Sequence, residues 1–250
     1  MSGISIDLTG KVVLITGGTR GIGKSIADKF KEAGATIILT GTRQSEIDAL
    51  SASTGSETLR YLPLDFSSAT SITNFVELIR KEPVIDVLIN NAGINRIAPN
   101  TETTNEDFDA LTDVNLKGPY ILAREVSKIM KKQCCGRIIN ISSIWSSVTR
   151  SGRSVYTTTK WGIVGLTKAL SVELAPYNIL VNAVGPGFTM TELTAGTNTK
   201  EDIEKITKMI PMQRMADPSE IANFVLFLSS DLNSYLTGQN IVIDGGYTSI

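Results

Sequence analysis

VVLITGGTRGIG, residues Val12 to Gly23, decides the fold of this chain. Five apolar or β-branched residues, Val12 to Thr16, run straight into a turn holding Gly17, Gly21 and Gly23. An amphipathic pattern follows, with Ile22, Ile26, Phe30 and Ala33 on one side. That order reads as strand, tight turn, helix. Glycine allows the sharp reversal and the close approach of main-chain amides to a ligand, and the start of the helix offers unpaired N–H groups and partial positive charge to a phosphate. The stretch reads as a pyrophosphate cradle.

Two cradles fit the letters. Gly18 to Ser25, GTRGIGKS, satisfies the phosphate loop of ATP and GTP hydrolases, in which Lys24 would reach the β/γ-phosphates and Ser25 would hold Mg²⁺. The overlapping Thr16 to Gly23 satisfies a dinucleotide turn, T-G-x-x-x-G-x-G, a variant of the G-x-G-x-x-G fingerprint. A glycine-rich βα turn without a ligand would look the same. The rest of the chain has to choose.

The composition excludes more than it selects. At 250 residues the chain can bury a full core without disulfides or metal, and one α/β domain over residues 1–250 is expected. Its 24 basic and 25 acidic side chains give a formal charge of −1 with no basic stripe, so neither nucleic acid nor an anionic membrane is an expected partner. The start, MSGISIDLTGK, has no basic region followed by an apolar block, and no apolar run is long enough to span a bilayer; a cytoplasmic protein is expected. With no histidine, a Ser/His/Asp hydrolase, a His-ligated zinc site and a His general base are all excluded. An acid or base must be Tyr, Lys, Asp, Glu or Cys. The two cysteines, Cys134 and Cys135, are adjacent and read as reduced thiols closing a helix, so no metal site is expected. The sequon Asn140-Ile141-Ser142 falls in an expected buried strand and reads as accidental.

Along the chain, apolar strands alternate with helices. Gly34 suits a left-handed position after the first helix, and Thr36–Thr40 forms a second strand. Its tip reads Gly41-Thr42-Arg43, with no acid before Glu46 to take ribose hydroxyls. Arg43, with Arg20 in the turn, would instead pair with a 2′-phosphate, which favours NADP over NAD; a solvated Arg43 at the strand end is the alternative. Arg60–Leu64 gives a third strand ending at Asp65, Ser68–Glu82 a helix, and Ile85–Asn90 a fourth strand before Asn91-Ala92-Gly93. This alternation is that of a doubly wound parallel sheet covered on both faces.

A longer helix is expected from an N-cap at about Asn105 towards Met130. Within it Pro119 cannot give an N–H to the Asn115 carbonyl, leaving either a kink or an acceptor for an ordered water. Arg137–Ile141 ends in Ser142-Ser143, and a helix beginning near Ser154 carries Tyr156 and Lys160 at i,i+4 on one face. A sixth strand, Ile179–Val184, leads into Gly185-Pro186-Gly187-Phe188-Thr189-Met190-Thr191. From about 189 to 215 the chain is polar, as for a mobile substrate flap. A helix over Glu220–Leu228 and a last strand over Asn240–Asp244 follow.

Tyr156 and Lys160 carry the expected chemistry. A free phenol ionises near ~10, and a neighbouring ammonium favours the phenolate and lowers that value. If Ser143 faces the pair, its hydroxyl can hold a substrate carbonyl while Tyr156 gives or takes the proton.

Together these features resemble the short-chain dehydrogenase/reductase family over essentially the whole chain. Thr16-Gly17-x-x-x-Gly21-x-Gly23, Asn90-Asn91-Ala92-Gly93 and Pro186-Gly187-x-x-x-Thr191 are similar to its cofactor motifs, and Asn115, Ser143, Tyr156 and Lys160 to its catalytic tetrad. The resemblance implies a Rossmann-type doubly wound α/β sheet of seven parallel strands, order 3-2-1-4-5-6-7, and a homotetramer. It implies NADP(H) contacts at Gly17, Thr19, Arg20, Gly21, Ile22 and Gly23, at Asp65 and Phe66, and at Asn91, Ala92 and Gly93. Tyr156, Lys160, Pro186, Gly187, Thr189 and Thr191 complete the set. Tyr156 would be the general acid, Lys160 would bind the nicotinamide ribose and lower the Tyr156 pKa, Ser143 would orient the carbonyl, and Asn115 would hold a water through its freed carbonyl. Asp65 would meet the adenine, Asn91 the adjacent ribose, and the Thr189 main chain the carboxamide.

Length and the ending Thr237-Gly238-Gln239 to Asp244-Gly245-Gly246 look most like 3-oxoacyl-acyl-carrier-protein reductases. Lys131 and Lys132 fit a carrier-protein partner, whereas Pro176-Tyr177-Asn178 lacks the expected Arg. Trp145, Arg150, Arg153 and Arg96 point instead to a polar or anionic small-molecule substrate, unless they are solvated loop arginines. A nucleotide hydrolase and a catalytically silent NADP-binding protein are the remaining rivals.

Overall fold

The apolar runs pair edge to edge in one parallel sheet of seven strands, β3-β2-β1-β4-β5-β6-β7, the expected order. This computed structural model describes residues 5–54 and 56–249; residues 1–4 of the amino-terminal stretch and positions 55 and 250 lie outside the described residues. The strands are β1 Val12–Ile15, β2 Thr36–Gly41, β3 Leu59–Pro63, β4 Val87–Asn90, β5 Gly136–Ile141, β6 Ile179–Pro186 and β7 Asn240–Ile243. Between them run α1 Gly21–Glu32, α2 Gln44–Thr54, α3 Ala69–Ile79, α4 Asn105–Thr112, α5 Gly118–Gln133 and α6 Ser154–Leu174. The helices α7 Glu192–Thr197, α8 Lys200–Met209 and α9 Pro218–Ser229 follow β6. Among the described residues no helix is long and apolar enough to cross a membrane.

The central strand shows why its sequence is apolar throughout. Successive strand side chains point to opposite faces. Val13 and Ile15 join Ile26 and Phe30 of α1 and Ile221 and Val225 of α9 in one layer, while Leu14 joins Phe75 and Ile79 of α3 and Leu122 and Val126 of α5 in the other. Each such side chain taken out of water contributes about 1.5–3 kcal/mol. The order of pairing reverses between β1 and β4, where an open α/β sheet leaves a crevice at the strands' carboxyl ends.

The helix expected over residues 105–130 is divided. Thr104, not Asn105, is its N-cap, accepting from the Asp107 N–H at 3.1 Å. One π-helical segment, Asp113–Lys117, then separates α4 from α5, with the Gly118 N–H bonded to the Asp113 carbonyl five residues back. The register therefore widens just before Pro119, which lacks the N–H to restore it. α5 closes on Cys134 in the left-handed conformation (φ 50°), and both cysteines are free thiols. Residues 189–215 fold into α7 and α8, capped by Thr191 and Thr199, and are tied down by buried Ile210 and Met215.

Candidate active site

The glycine turn is built around Thr16 and Asn91. The Thr16 hydroxyl accepts from the N–H groups of Asn91 and Ala92, both at 3.0 Å, and the Asn91 side-chain amide donates to the carbonyls of Thr16 at 2.9 Å and Gly17 at 3.0 Å. This brace locks the carboxyl ends of β1 and β4 together. It also spends the Asn91 amide group inside the turn. Gly17 (φ 63°) faces Ala92 so closely that a Cβ there would stand 3.0 Å from the Ala92 Cα. A Cβ on Gly23 would stand 2.3 Å from the Gly17 carbonyl oxygen. Gly21 (φ 56°) lies opposite the Thr191 methyl, 3.6 Å from where its Cβ would be, so the turn and the start of the flap enclose one cleft. These are backbone approaches that side chains would fill, and they suit a dinucleotide pyrophosphate.

The remaining expected contacts surround the same crevice. Thr19 packs against Gly41 at the tip of β2, 3.1 Å from where a Cβ would stand. Arg20 and Arg43 are exposed beside it, and Arg43 is held by Glu46 at 2.9 Å. Asp65 accepts from the N–H and hydroxyl of Ser67, while Phe66 is buried against Gly118, leaving only its backbone towards the crevice. Gly187 is pressed against Asp244, and its N–H extends the β6–β7 ladder to the Ile243 carbonyl. Thr189 is buried, and its carbonyl accepts from the Thr191 N–H and the Thr194 hydroxyl, both at 3.0 Å. Lys24 is paired with Asp28 one helical turn onward at 2.6 Å, with both side chains more than half exposed.

Asn115, Ser143, Tyr156 and Lys160 come together at the carboxyl edge of β4 and β5. A methyl on Gly93 would lie 3.4 Å from Asn115 Oδ1 and 3.7 Å from Lys160 Nζ. Asn115, 1% exposed, donates to the Ile94 carbonyl at 2.9 Å and to the Thr159 hydroxyl at 3.3 Å, and accepts from the Ile94 N–H at 2.8 Å. Ser142 gives its hydroxyl to Asn240 on β7 at 2.7 Å, so Ser143 is the serine that serves the cleft. The Ser143 hydroxyl stands near enough to the Tyr156 phenol to favour its ionised form. Lys160, 4% exposed, donates to the Ile141 carbonyl at 2.9 Å, and its Nζ lies 5.5 Å from the centre of the Tyr156 ring.

The electrostatics differ from expectation. Burial pushes the Tyr156 hydroxyl above the usual phenol range, opposed by the Ser143 hydrogen bond and the Arg153 charge. Lys160 was expected to lower it, but the groups that do so are Ser143 and Arg153. Burial also draws Lys160 itself down to about 8.

Arg153, one of the loop arginines that pointed to a polar or anionic substrate, is buried rather than solvated. It is 8% exposed, its guanidinium lies 5.2 Å from the centre of the Trp145 ring, and Arg150 lies over the same ring at 5.7 Å. Burial, then the Arg150 charge, lowers its pKa. Trp145 packs edge-to-face on Phe188 and Tyr247, so the wall beyond Ser143 is aromatic. Arg96 is a different case, because it is paired with Asp107.

Comparison with known proteins shows which chains this one is similar to. The family model described as Enoyl-(Acyl carrier protein) reductase matches residues 17–248. The 3-oxoacyl-(acyl-carrier-protein) reductase of Aquifex aeolicus is 41% identical over 97% of this chain and 99% of its own. An NAD-dependent glycerol dehydrogenase of Listeria innocua is 36% identical over 97% of this chain and 95% of its own. A gluconate 5-dehydrogenase of Burkholderia cenocepacia, solved with NADP and tartrate, superposes with a TM-score of 0.90 at 31% identity, over 98% of this chain and 97% of that one.

Proposed function

This chain belongs to the short-chain dehydrogenase/reductase family, a group of oxidoreductases acting on carbonyl and alcohol groups, and from that premise we propose that it is an NADP(H)-dependent carbonyl reductase using Ser143 and Tyr156. The observation that carries this reading is the convergence of Asn115, Ser143, Tyr156 and Lys160 beside Gly93, next to a glycine turn that side chains would fill.

Gly17, Thr19, Gly21, Ile22 and Gly23 would hold the pyrophosphate, Arg20 and Arg43 the 2′-phosphate, and Asp65 with the Phe66 backbone the adenine. The 91–93 backbone and Lys160 would hold the riboses, and Pro186, Gly187, Thr189 and Thr191 the carboxamide end. A bound nicotinamide supplies the hydride equivalent. Ser143 orients the substrate carbonyl oxygen. Tyr156, kept protonated by its buried surroundings, donates the proton to that oxygen. Lys160 and a water on the Asn115 carbonyl return a proton to Tyr156. Among the relatives reported, one is NAD-dependent and one was solved with NADP, so the choice of NADP(H) rests on Arg20 and Arg43 with no acid at the β2 tip. The Arg43–Glu46 pair is exposed and weak enough to yield to a phosphate.

Two substrate classes are supported by different observations. Sequence likeness to the Aquifex reductase favours oxoacyl thioesters, with Lys131, stacked over Tyr177, and Lys132 towards an acyl-carrier protein. Arg150 and Arg153, stacked on Trp145 with no carboxylate paired to either among the described residues, together with likeness to a gluconate dehydrogenase, favour a polar, sugar-derived or acidic substrate. Exposed Tyr120 on α5 and Trp161 and Val172 on α6 support assembly into a homotetramer through these helices. The test is NADPH consumption with oxoacyl thioesters and with polar keto compounds. Turnover of either class supports a carbonyl reductase, and turnover of neither refutes it.

A further inference from the structure

Arg153 is unusual for a residue at the start of a helix. Its side chain is buried, its Nε is fully enclosed without a hydrogen-bond partner, and no carboxylate among the described residues forms an ion pair with it or with Arg150. A buried charge left uncompensated is costly, and here a second guanidinium on the same indole adds repulsion. Stacking on Trp145 recovers part of that cost, yet it leaves the donor edges of the fork unused. The location is specific. Trp145 follows Ser143 by two residues, Arg153 precedes Tyr156 by three, and the Arg153 charge is felt at the Tyr156 hydroxyl. Gly152 (φ 77°) is fixed by its carbonyl, which accepts from the Ala98 N–H at 3.2 Å, so the turn presenting Arg153 is anchored to the segment beyond Gly93. The unused donors of this guanidinium therefore belong to a group whose charge acts on the Tyr156 hydroxyl.

We propose that Arg153, stacked on Trp145 and flanked by Arg150, binds the carboxylate of the substrate, and that this substrate is a short oxo acid or the matching hydroxy acid in its free form. The planar fork suits the two oxygens of a carboxylate. A thioester has no charge to place there. The inference rests on the carbonyl-reductase reading of Ser143 and Tyr156, and its test separates the two.

The experiment compares short oxo acids, beginning with 3-oxobutanoate, with their methyl esters, using NADPH-loaded wild type, Arg153→Met and Arg153→Lys. The wild type is expected to favour the acid by ~10- to 100-fold in kcat/KM, as a charge-assisted bond would give, and Arg153→Met to lose that preference through a raised KM for the acid. Arg153→Lys keeps part of it. Thermal unfolding supplies a readout free of turnover. The acid, and not the ester, raises the midpoint of the loaded wild type but not that of loaded Arg153→Met, whose own ligand-free midpoint lies above the wild type's because a buried unpaired charge has been removed. Equal handling of acid and ester by the wild type in both measurements, or an acid preference that survives in Arg153→Met, overturns the proposal. Failure of the reductase reading looks different: no carbonyl compound is reduced, while the midpoint shift with acid persists.

Discussion

One side-chain amide joins Asn115 to both polar groups of the Ile94 backbone, accepting from its N–H at 2.8 Å and donating to its carbonyl at 2.9 Å. Asn115 thus fixes the strand exit at Gly93 and Ile94 against the widened turn before Pro119. Asn115→Ala strips both partners from a half-buried peptide and is expected to cost about 2–4 kcal/mol of stability, with turnover falling alongside. Urea unfolding midpoints with parallel kcat values check this; an unchanged midpoint contradicts the clamp.

Gly23 and Gly21 should respond differently to alanine. A Cβ on Gly23 meets the Gly17 carbonyl oxygen at 2.3 Å and Asn91 Nδ2 at 2.4 Å, both parts of the rigid brace, whereas a Cβ on Gly21 meets only the Thr191 methyl at 3.6 Å. Gly23→Ala is expected to weaken NADPH binding ~100-fold or more, and Gly21→Ala to cost about 1–2 kcal/mol through its left-handed backbone alone. Cofactor titration by fluorescence ranks the two, and equal losses would contradict the brace.

Lys160 makes stability depend on pH. Its folded pKa of about 8 lies below the ordinary 10.5, so between those values the unfolded chain holds more protons and stability rises with pH. Below pH 8 the cost of the buried charge is fully present. The expected gain between pH 8 and 10 is on the order of 2 kcal/mol, before the raised Tyr156 pKa begins to act in the opposite sense above the usual phenol value of 10.0. Thermal melts of wild type and Lys160→Met across this range check it. The stability gap between them should close as pH rises, and a constant gap contradicts the assignment.

Arg43 should govern cofactor choice. Among the described residues its partner is the half-buried Glu46. Arg43→Ala is expected to raise the KM for NADPH by ~10-fold and leave that for NADH nearly unchanged, as loss of one charge-assisted phosphate contact implies. Indifference of both constants would move the 2′-phosphate elsewhere.

The fold was legible because β5 and β6 are buried on both faces along their whole length, so their sequences are apolar runs between turn residues, interrupted by Arg137, Asn140 and Asn182. The cleft was legible because Gly17 and Gly23 mark approaches that leave no room for a Cβ, Gly21 marks a left-handed backbone, and Tyr156 and Lys160 share a helix face. Other features depend on contacts between distant segments. The π-helical step at 113–117, closed by the Gly118 N–H on the Asp113 carbonyl, is a shift of one residue in bonding that periodicity does not register. Arg153 is buried with its guanidinium over Trp145, a contact that sequence does not show, so there the loop reads equally as a site for a polar or anionic substrate and as solvated arginines. Asn91 was expected at a ribose, yet its amide braces Thr16 and Gly17, since strand register brings those carbonyls within reach. Likewise, i,i+4 spacing brought Lys160 near the Tyr156 ring, while the groups that hold the phenol pKa down, Ser143 and Arg153, come from other turns of the chain.

The most direct test of the account is Tyr156→Phe, which removes one oxygen from the site and leaves the cofactor cradle intact. NADPH affinity, read by fluorescence titration, should stay within ~2-fold, while kcat for reduction of the best carbonyl substrate falls by at least ~100-fold, the contribution expected of a positioned general acid. Turnover comparable to the wild type's would show that the proton comes from another group and that the chemistry assigned to Tyr156 is wrong.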